Sequence, residues 1–239
     1  MKFQKSKMLS GFFMASLVAC GSLLGDHHEN HGSNATGVWK WTSEGRNNQT
    51  RESTLTLIQD GSKVTGTVSG RQSDTKISGG KVDGNKISFG TTRESERGKF
   101  EAKYTGTIDG DQLNGAMKIT FGEREFERDF KAKRQPTKPS GKWGWVLTRD
   151  NGENMTATLV LKETDGKVTG SLSSDNFELD LAKVTLTGAV LKFETTFEGG
   201  NGSMTISHEA AILGDKIMGH ASGERDGEEF TREWEATRS

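Results

Sequence analysis

The chain has 239 residues, of which 31 are glycine, two are proline and 31% are hydrophobic. So much glycine argues against a helical protein, because each helix-interior glycine costs about 1 kcal/mol relative to alanine. The 32 basic and 33 acidic residues nearly cancel, which argues against disorder and leaves no basic excess to attract nucleic acid.

The first 19 residues have the character of a removable leader. Lys2, Lys5 and Lys7 form a cationic start, and the stretch from Met8 to Ala19 is apolar except for Ser10, Gly11 and Ser16. That run is too short for a transmembrane helix, which needs about 20 residues. It ends in Leu17-Val18-Ala19-Cys20, and Cys20 is the only cysteine in the chain. This sequence resembles the lipobox of bacterial lipoproteins, and the resemblance implies cleavage before Cys20 and acylation of that residue. Position 21 is Gly rather than Asp, so by analogy the inner-membrane retention signal is missing and the outer membrane is the favoured destination. Acylation would occupy the single thiol and exclude a disulfide.

Residues 20–35 are polar and aperiodic, as expected of a lipid-anchored tether. They contain His27, His28 and His31 beside Asp26 and Glu29, types that can hold Zn²⁺ or Cu²⁺ weakly. The spacing is one residue short of the helical His-Glu-x-x-His pattern, so no metal site is expected.

From residue 36 onward the chain repeats. A shift of 104 residues overlays 36–134 on 140–238 without a gap, with 27 identities in 99 pairs. Gly37, Trp39 and Trp41 fall on Gly141, Trp143 and Trp145, while Phe126, Arg128, Ala132 and Arg134 fall on Phe230, Arg232, Ala236 and Arg238. Residues 135–139 hold both prolines. Proline donates no ladder hydrogen bond, so this segment is expected to be a linker outside either sheet. Two domains are predicted, at 36–134 and 140–239.

Asp-Gly turns at Asp60-Gly61, Asp83-Gly84, Asp109-Gly110, Asp165-Gly166 and Asp226-Gly227 separate alternating runs. Strands are predicted in the first copy near 37–44, 52–59, 62–69, 74–81, 85–92, 99–108, 112–121 and 125–134. Eight hairpin-linked strands suit an all-β, up-and-down antiparallel barrel in each copy, since closure removes exposed sheet edges; a sandwich is the alternative. In the last strand Glu125, Glu127, Asp129, Lys131 and Lys133 share one face, while Phe126, Arg128, Phe130, Ala132 and Arg134 share the other.

Gly37-Val38-Trp39 and Gly141-Lys142-Trp143, each with an arginine closing the last strand, resemble the calycin pattern of lipocalins and avidins. The resemblance implies that Arg134 stacks on Trp39 and Arg238 on Trp143 at the closed end of each barrel. Thr36-Gly37-Val38-Trp39 followed by Val64-Thr65-Gly66-Thr67 is similar to avidin in particular. Trp41 and Trp145, however, stand where avidins place a polar contact to biotin.

Arg128 and Arg232 are expected on the apolar face, nearer the open end, where a charge needs an anion or several acceptors. Fatty-acid-binding proteins use a similar Arg-x-aromatic arrangement for a ligand carboxylate. The candidate ligand-binding residues are therefore Trp41, Tyr104, Arg128, Trp145, His208 and Arg232. No catalytic residues, metal ligands or cofactor are expected, because nothing resembles a nucleophile elbow or a paired-cysteine site. The chain reads as a cell-envelope lipoprotein, non-catalytic, holding a small hydrophobic or amphipathic acid in a lipocalin-like barrel. The alternative is a structural or protein-interaction lipoprotein, an adaptor or inhibitor, with barrels filled by their own side chains. The expected partners are the membrane through Cys20, a small ligand and an envelope protein.

Overall fold

The computed structural model describes residues 34–44, 49–70, 74–95, 98–148, 154–199, 202–225 and 227–239. The expected leader, Cys20 and the histidines of the expected tether lie outside the described residues. The first repeat contains β1 (Gly37–Glu44), β2 (Thr50–Asp60), β3 (Lys63–Ser69), β4 (Asp74–Asp83), β5 (Lys86–Ser95), β6 (Gly98–Asp109), β7 (Gln112–Phe121) and β8 (Arg124–Arg134). They form a closed antiparallel barrel in chain order. The seam joins β1 to β8 through Trp39↔Arg134 and Lys40↔Lys133. These are the eight predicted strands, with β2, β5 and β8 reaching one to three residues further at the end away from the Asp-Gly turns.

The second repeat contains β9 (Gly141–Thr148), β10 (Asn154–Thr164), β11 (Lys167–Ser174), β12 (Phe177–Asp180), β13 (Ala182–Thr187), β14 (Val190–Gly199), β15 (Gly202–Leu213), β16 (Lys216–Arg225) and β17 (Glu228–Arg238). The sheet order is β12-β11-β10-β9-β17-β16-β15-β14-β13, a nearly closed antiparallel barrel. There are nine strands rather than the eight expected, because the fourth is broken into β12 and β13. The cause is already present in the first copy. There β4 slips register between Ser78 and Lys81, where Gly79 takes φ +59°. The matching Lys183 takes φ +49°, and the register slips between Ala182 and Thr185. The left-handed residue disrupts the ladder, and the strand is interrupted two residues before it, at Leu181. The Leu181 amide still donates to the Gly170 carbonyl at 3.0 Å, which holds the break against β11.

Burial alternates along each strand. Trp39, Leu55, Leu57, Val64, Ile87, Ile108, Leu113 and Ala132 fill the first core; Trp143, Leu159, Leu161, Val168, Leu191, Ile212, Ile217 and Ala236 fill the second at the matching positions. Each fully buried Leu or Ile contributes about 1.5–3 kcal/mol, so the paired positions are the chief source of stability in chains without a disulfide.

The expected stacks close the bottom of both barrels. The Arg134 guanidinium carbon lies 4.0 Å from the centre of the Trp39 ring, and Arg238 lies 4.0 Å from that of Trp143. Arg134 also donates to the carbonyls of Thr36 and Asn34 and pairs with Asp111 at 3.1 Å. Arg238 donates to the carbonyls of Ser140 and Lys138 at 2.6 Å each and pairs with Asp215 at 3.1 Å. Burial pulls the Arg134 pKa down, and Asp111 opposes that shift.

The chain ahead of each barrel completes this cap. The Trp39 indole donates to the Ala35 carbonyl at 2.9 Å and the Trp143 indole to the Pro139 carbonyl at 3.0 Å. Ala35 is fully buried, and its amide donates to Gln59. Asn34 and Ala35, assigned by sequence to the tether, are therefore part of the cap, as are Lys138 and Pro139 of the linker. A buried indole N–H needs an acceptor, and the segment just before the first strand is the one within reach.

Candidate functional site

Four of the six predicted site residues meet inside the barrels, each in contact with aromatic partners from other strands. In the first barrel Trp41 on β1 packs on Phe130 of β8 with ring centres 5.4 Å apart. Phe130 meets Tyr104 of β6 edge-on at 5.9 Å, and Tyr104 stacks on Phe89 of β5 at 4.6 Å and 13°. The chain of rings therefore crosses the lumen from the seam to the opposite wall.

The second barrel builds the same layer at positions displaced by 104. Trp145 stacks on Trp234 at 5.1 Å, Trp234 meets His208 at 6.1 Å and Phe193 at 6.4 Å, and Phe193 stacks on His208 at 4.4 Å and 8°. Phe130 and Trp234, Phe89 and Phe193 thus complete a quartet whose other members the sequence had singled out. Their inward alternation is visible in the sequence; their mutual contact is not, because Trp41–Phe130 and Trp145–Trp234 form across the seam that closes each barrel, and Tyr104–Phe130 and His208–Trp234 join strands that are not neighbours.

Each layer carries one polar tip. Tyr104 shares a hydrogen bond with Thr91, and burial pushes its phenol pKa up. Thr195, the match of Thr91, is fully buried and shares a 3.1 Å hydrogen bond with His208 Nε2. Burial lowers the His208 pKa to about 4, so the ring is neutral at pH 7. The Nδ1 of His208 and the indole nitrogens of Trp145 and Trp234 are buried without a hydrogen-bond partner. The threonines are site residues that sequence reasoning missed; their identity at matching positions was the available signal.

Arg128 and Arg232 do not join the aromatic layers. Both fall on the lumen-facing alternation, opposite Met117 and Ala221, but both are exposed at the open end. The guanidinium expected on the apolar face nearer the open end is solvent-exposed in both barrels and not enclosed. β8 and β17 run past the aromatic layer by three further inward residues, Arg128, Phe126 and Arg124 in the first barrel and Arg232, Phe230 and Glu228 in the second, and a guanidinium there reaches water instead of the core. Arg232 lies 5.9 Å from the Phe230 ring, while Phe126 is half exposed.

Three more arginines share that opening in the first barrel. Arg51 on β2, Arg93 on β5 and Arg124 on β8 are exposed and fall on the lumen-facing alternation, opposite Ser43, Phe100 and Phe121. Each lies just outside the strand limits expected from sequence.

The layered interior offers a floor of aromatic rings and a charged mouth above it. No protein-family model matches the chain, and none of the curated proteins matches it at a significant level.

Proposed function

We propose that the protein is a lipid-anchored, non-catalytic binding protein of the bacterial cell envelope, built like the lipocalins and avidins, that takes a small amphipathic acid at a barrel mouth. The observation that carries this is the repeated stack of layers: an aromatic quartet below, and Arg128 with Phe126, or Arg232 with Phe230, above it. Rings in mutual contact leave little depth for cargo beneath the mouth. An exposed arginine beside a phenylalanine at the rim suits a ligand with one anionic and one apolar end. Acylation of Cys20 supplies the anchor.

Tryptophan fluorescence of the purified protein, titrated with 2-naphthoate, tests the mouth. A saturable change that is lost in R128A/R232A supports the proposal, and no saturable change rejects it. Palmitate labelling that disappears in C20S tests the anchor.

The packed lumens also favour a second function, a protein-interaction module acting through its outer surface. Failure to bind any small amphiphile, with the fold intact, would leave that function in place of the first.

A further inference from the structure

We infer that the mouth of the first barrel, and not that of the second, is an oxyanion site for a phosphate- or sulfate-bearing amphiphile. The inference rests on the mouth proposed above; it adds the headgroup chemistry and assigns it to one barrel.

Four arginines converge on this opening from three strands: Arg51 from β2, Arg93 from β5, and Arg124 and Arg128 from β8. Among the described residues, no aspartate or glutamate occupies the lumen-facing set of the first barrel. The neighbouring carboxylates stand on the outer face, where lysines engage them: Lys40 with Glu52 at 2.9 Å, Lys99 with Glu101 at 2.6 Å and Lys118 with Glu125 at 2.9 Å. Charge type is thus sorted by face, arginine at the mouth and lysine outside.

That sorting has a chemical meaning. Guanidinium groups gathered at one opening raise its positive potential, which favours a multiply charged anion. The planar guanidinium fork matches phosphate and sulfate oxygens two at a time, which an ammonium cannot do. Phe100, Phe121 and Phe126 are 38%, 38% and 50% exposed on the same rim. The register joins them to the arginines directly, as Arg93↔Phe100, Phe100↔Phe121 and Phe121↔Arg124. Apolar rings interleaved with guanidinium groups fit a ligand whose charged head is attached to a hydrophobic body.

The second mouth has lost this character. Arg51, Arg93 and Arg124 are matched by Met155, Phe197 and Glu228, and only Arg128 keeps its counterpart, Arg232. Phe197 packs edge-on against Phe177 at 5.1 Å, and Met155, Met204 and Ile206 are half-buried around them. Arg225 stands opposite Glu228 across the β16–β17 turn, so the lumen-facing charges at this mouth, among the described residues, are two arginines and one carboxylate.

Calorimetric titration with 1-naphthyl phosphate, neutral 1-naphthol and inorganic pyrophosphate tests the inference on the full chain. The parent protein is expected to bind naphthyl phosphate at one site, at least about tenfold tighter than naphthol, with affinity falling as salt rises. Replacing mouth residues by their second-barrel counterparts, R51M/R93F, is expected to weaken naphthyl phosphate about tenfold and leave naphthol unchanged. The swap M155R/F197R is expected to create a second naphthyl phosphate site. Naphthol binding as tightly as naphthyl phosphate, or R51M/R93F binding like the parent, overturns the oxyanion site while the mouth itself stands. No binding of either aromatic probe overturns the mouth as well. Pyrophosphate as tight as naphthyl phosphate overturns the amphiphile in favour of free phosphate. Far-ultraviolet circular dichroism of each variant separates lost binding from lost fold, and the gain in M155R/F197R needs no such control.

Discussion

Thr195 shares a 3.1 Å hydrogen bond with His208 Nε2 inside the second barrel, at the place where Thr91 meets Tyr104 inside the first. The hydroxyl has been kept while the ring it serves has changed from phenol to imidazole. A consequence for acid stability follows. With a folded-state pKa near 4 and an unfolded value near 6.5, the unfolded chain takes up a proton first as pH falls. The stabilisation is whole above pH 6.5 and is lost as pH falls towards 4. It amounts to at most about 3 kcal/mol. Urea unfolding at pH 7 and pH 4.5 is expected to show a smaller loss in H208Y, which carries the first barrel's residue, than in the parent. Equal losses would mean that His208 is protonated in the native state.

The closing arginines should matter more than any surface charge. Arg134→Ala removes the stack on Trp39 and leaves the Asn34 and Thr36 carbonyls without their donor. The expected cost is about 3 kcal/mol. Arg134→Lys should recover less than half of it, because one ammonium cannot span two carbonyls, Asp111 and a ring face together. Urea denaturation of the two variants measures the difference.

Glycine at the first position of Gly-x-Trp is required by the same arginine. Gly37 and Gly141 take φ +142° and +144°, and a Cβ added there would stand 3.1 Å from Arg134 Nη1 and 2.5 Å from Arg238 Nη1. Both alanine variants should therefore destabilise, by about 1–3 kcal/mol. G141A should cost more than G37A, since Arg238 would have to leave Ser140 or the Trp143 face. Thermal unfolding of the pair checks the order.

The aromatic layer predicts a cavity on truncation. Phe130 touches both Trp41 and Tyr104, so Phe130→Ala opens the middle of the first lumen at a cost of about 3–5 kcal/mol. Indole or benzene should raise the melting temperature of F130A and leave that of the parent unchanged. Stabilisation of the parent to the same extent would show that its lumen already has room.

Much of this architecture was legible in the sequence because its determinants are local and occur twice. Asp-Gly turns, a period of two and the 104-residue shift gave eight strands of the first barrel, and the closing stacks followed from Gly-x-Trp with a last-strand arginine. The break at Leu181, two residues before the left-handed Lys183, was not legible, because a lysine carries no mark of a left-handed backbone; only its alignment with Gly79 hinted at it. The six candidate residues fall on inward-facing alternations, but alternation gives a side and no depth. Depth separated Trp41, Tyr104, Trp145 and His208, which form rings in the lumen, from Arg128 and Arg232, which stand at the rim. It also brought in Arg51, Arg93 and Arg124, hidden because strand ends are set by pairing with a neighbour and not by the run of residues itself.

The sequence by itself thus determined the duplication and the barrel, since turn chemistry and face alternation act within a few residues, while the arginine that locks each one was implied by the calycin resemblance. The tertiary structure alone decided which aromatic rings touch across the lumen and which charges share a mouth. Both depend on barrel closure, which brings together strands far apart in the chain.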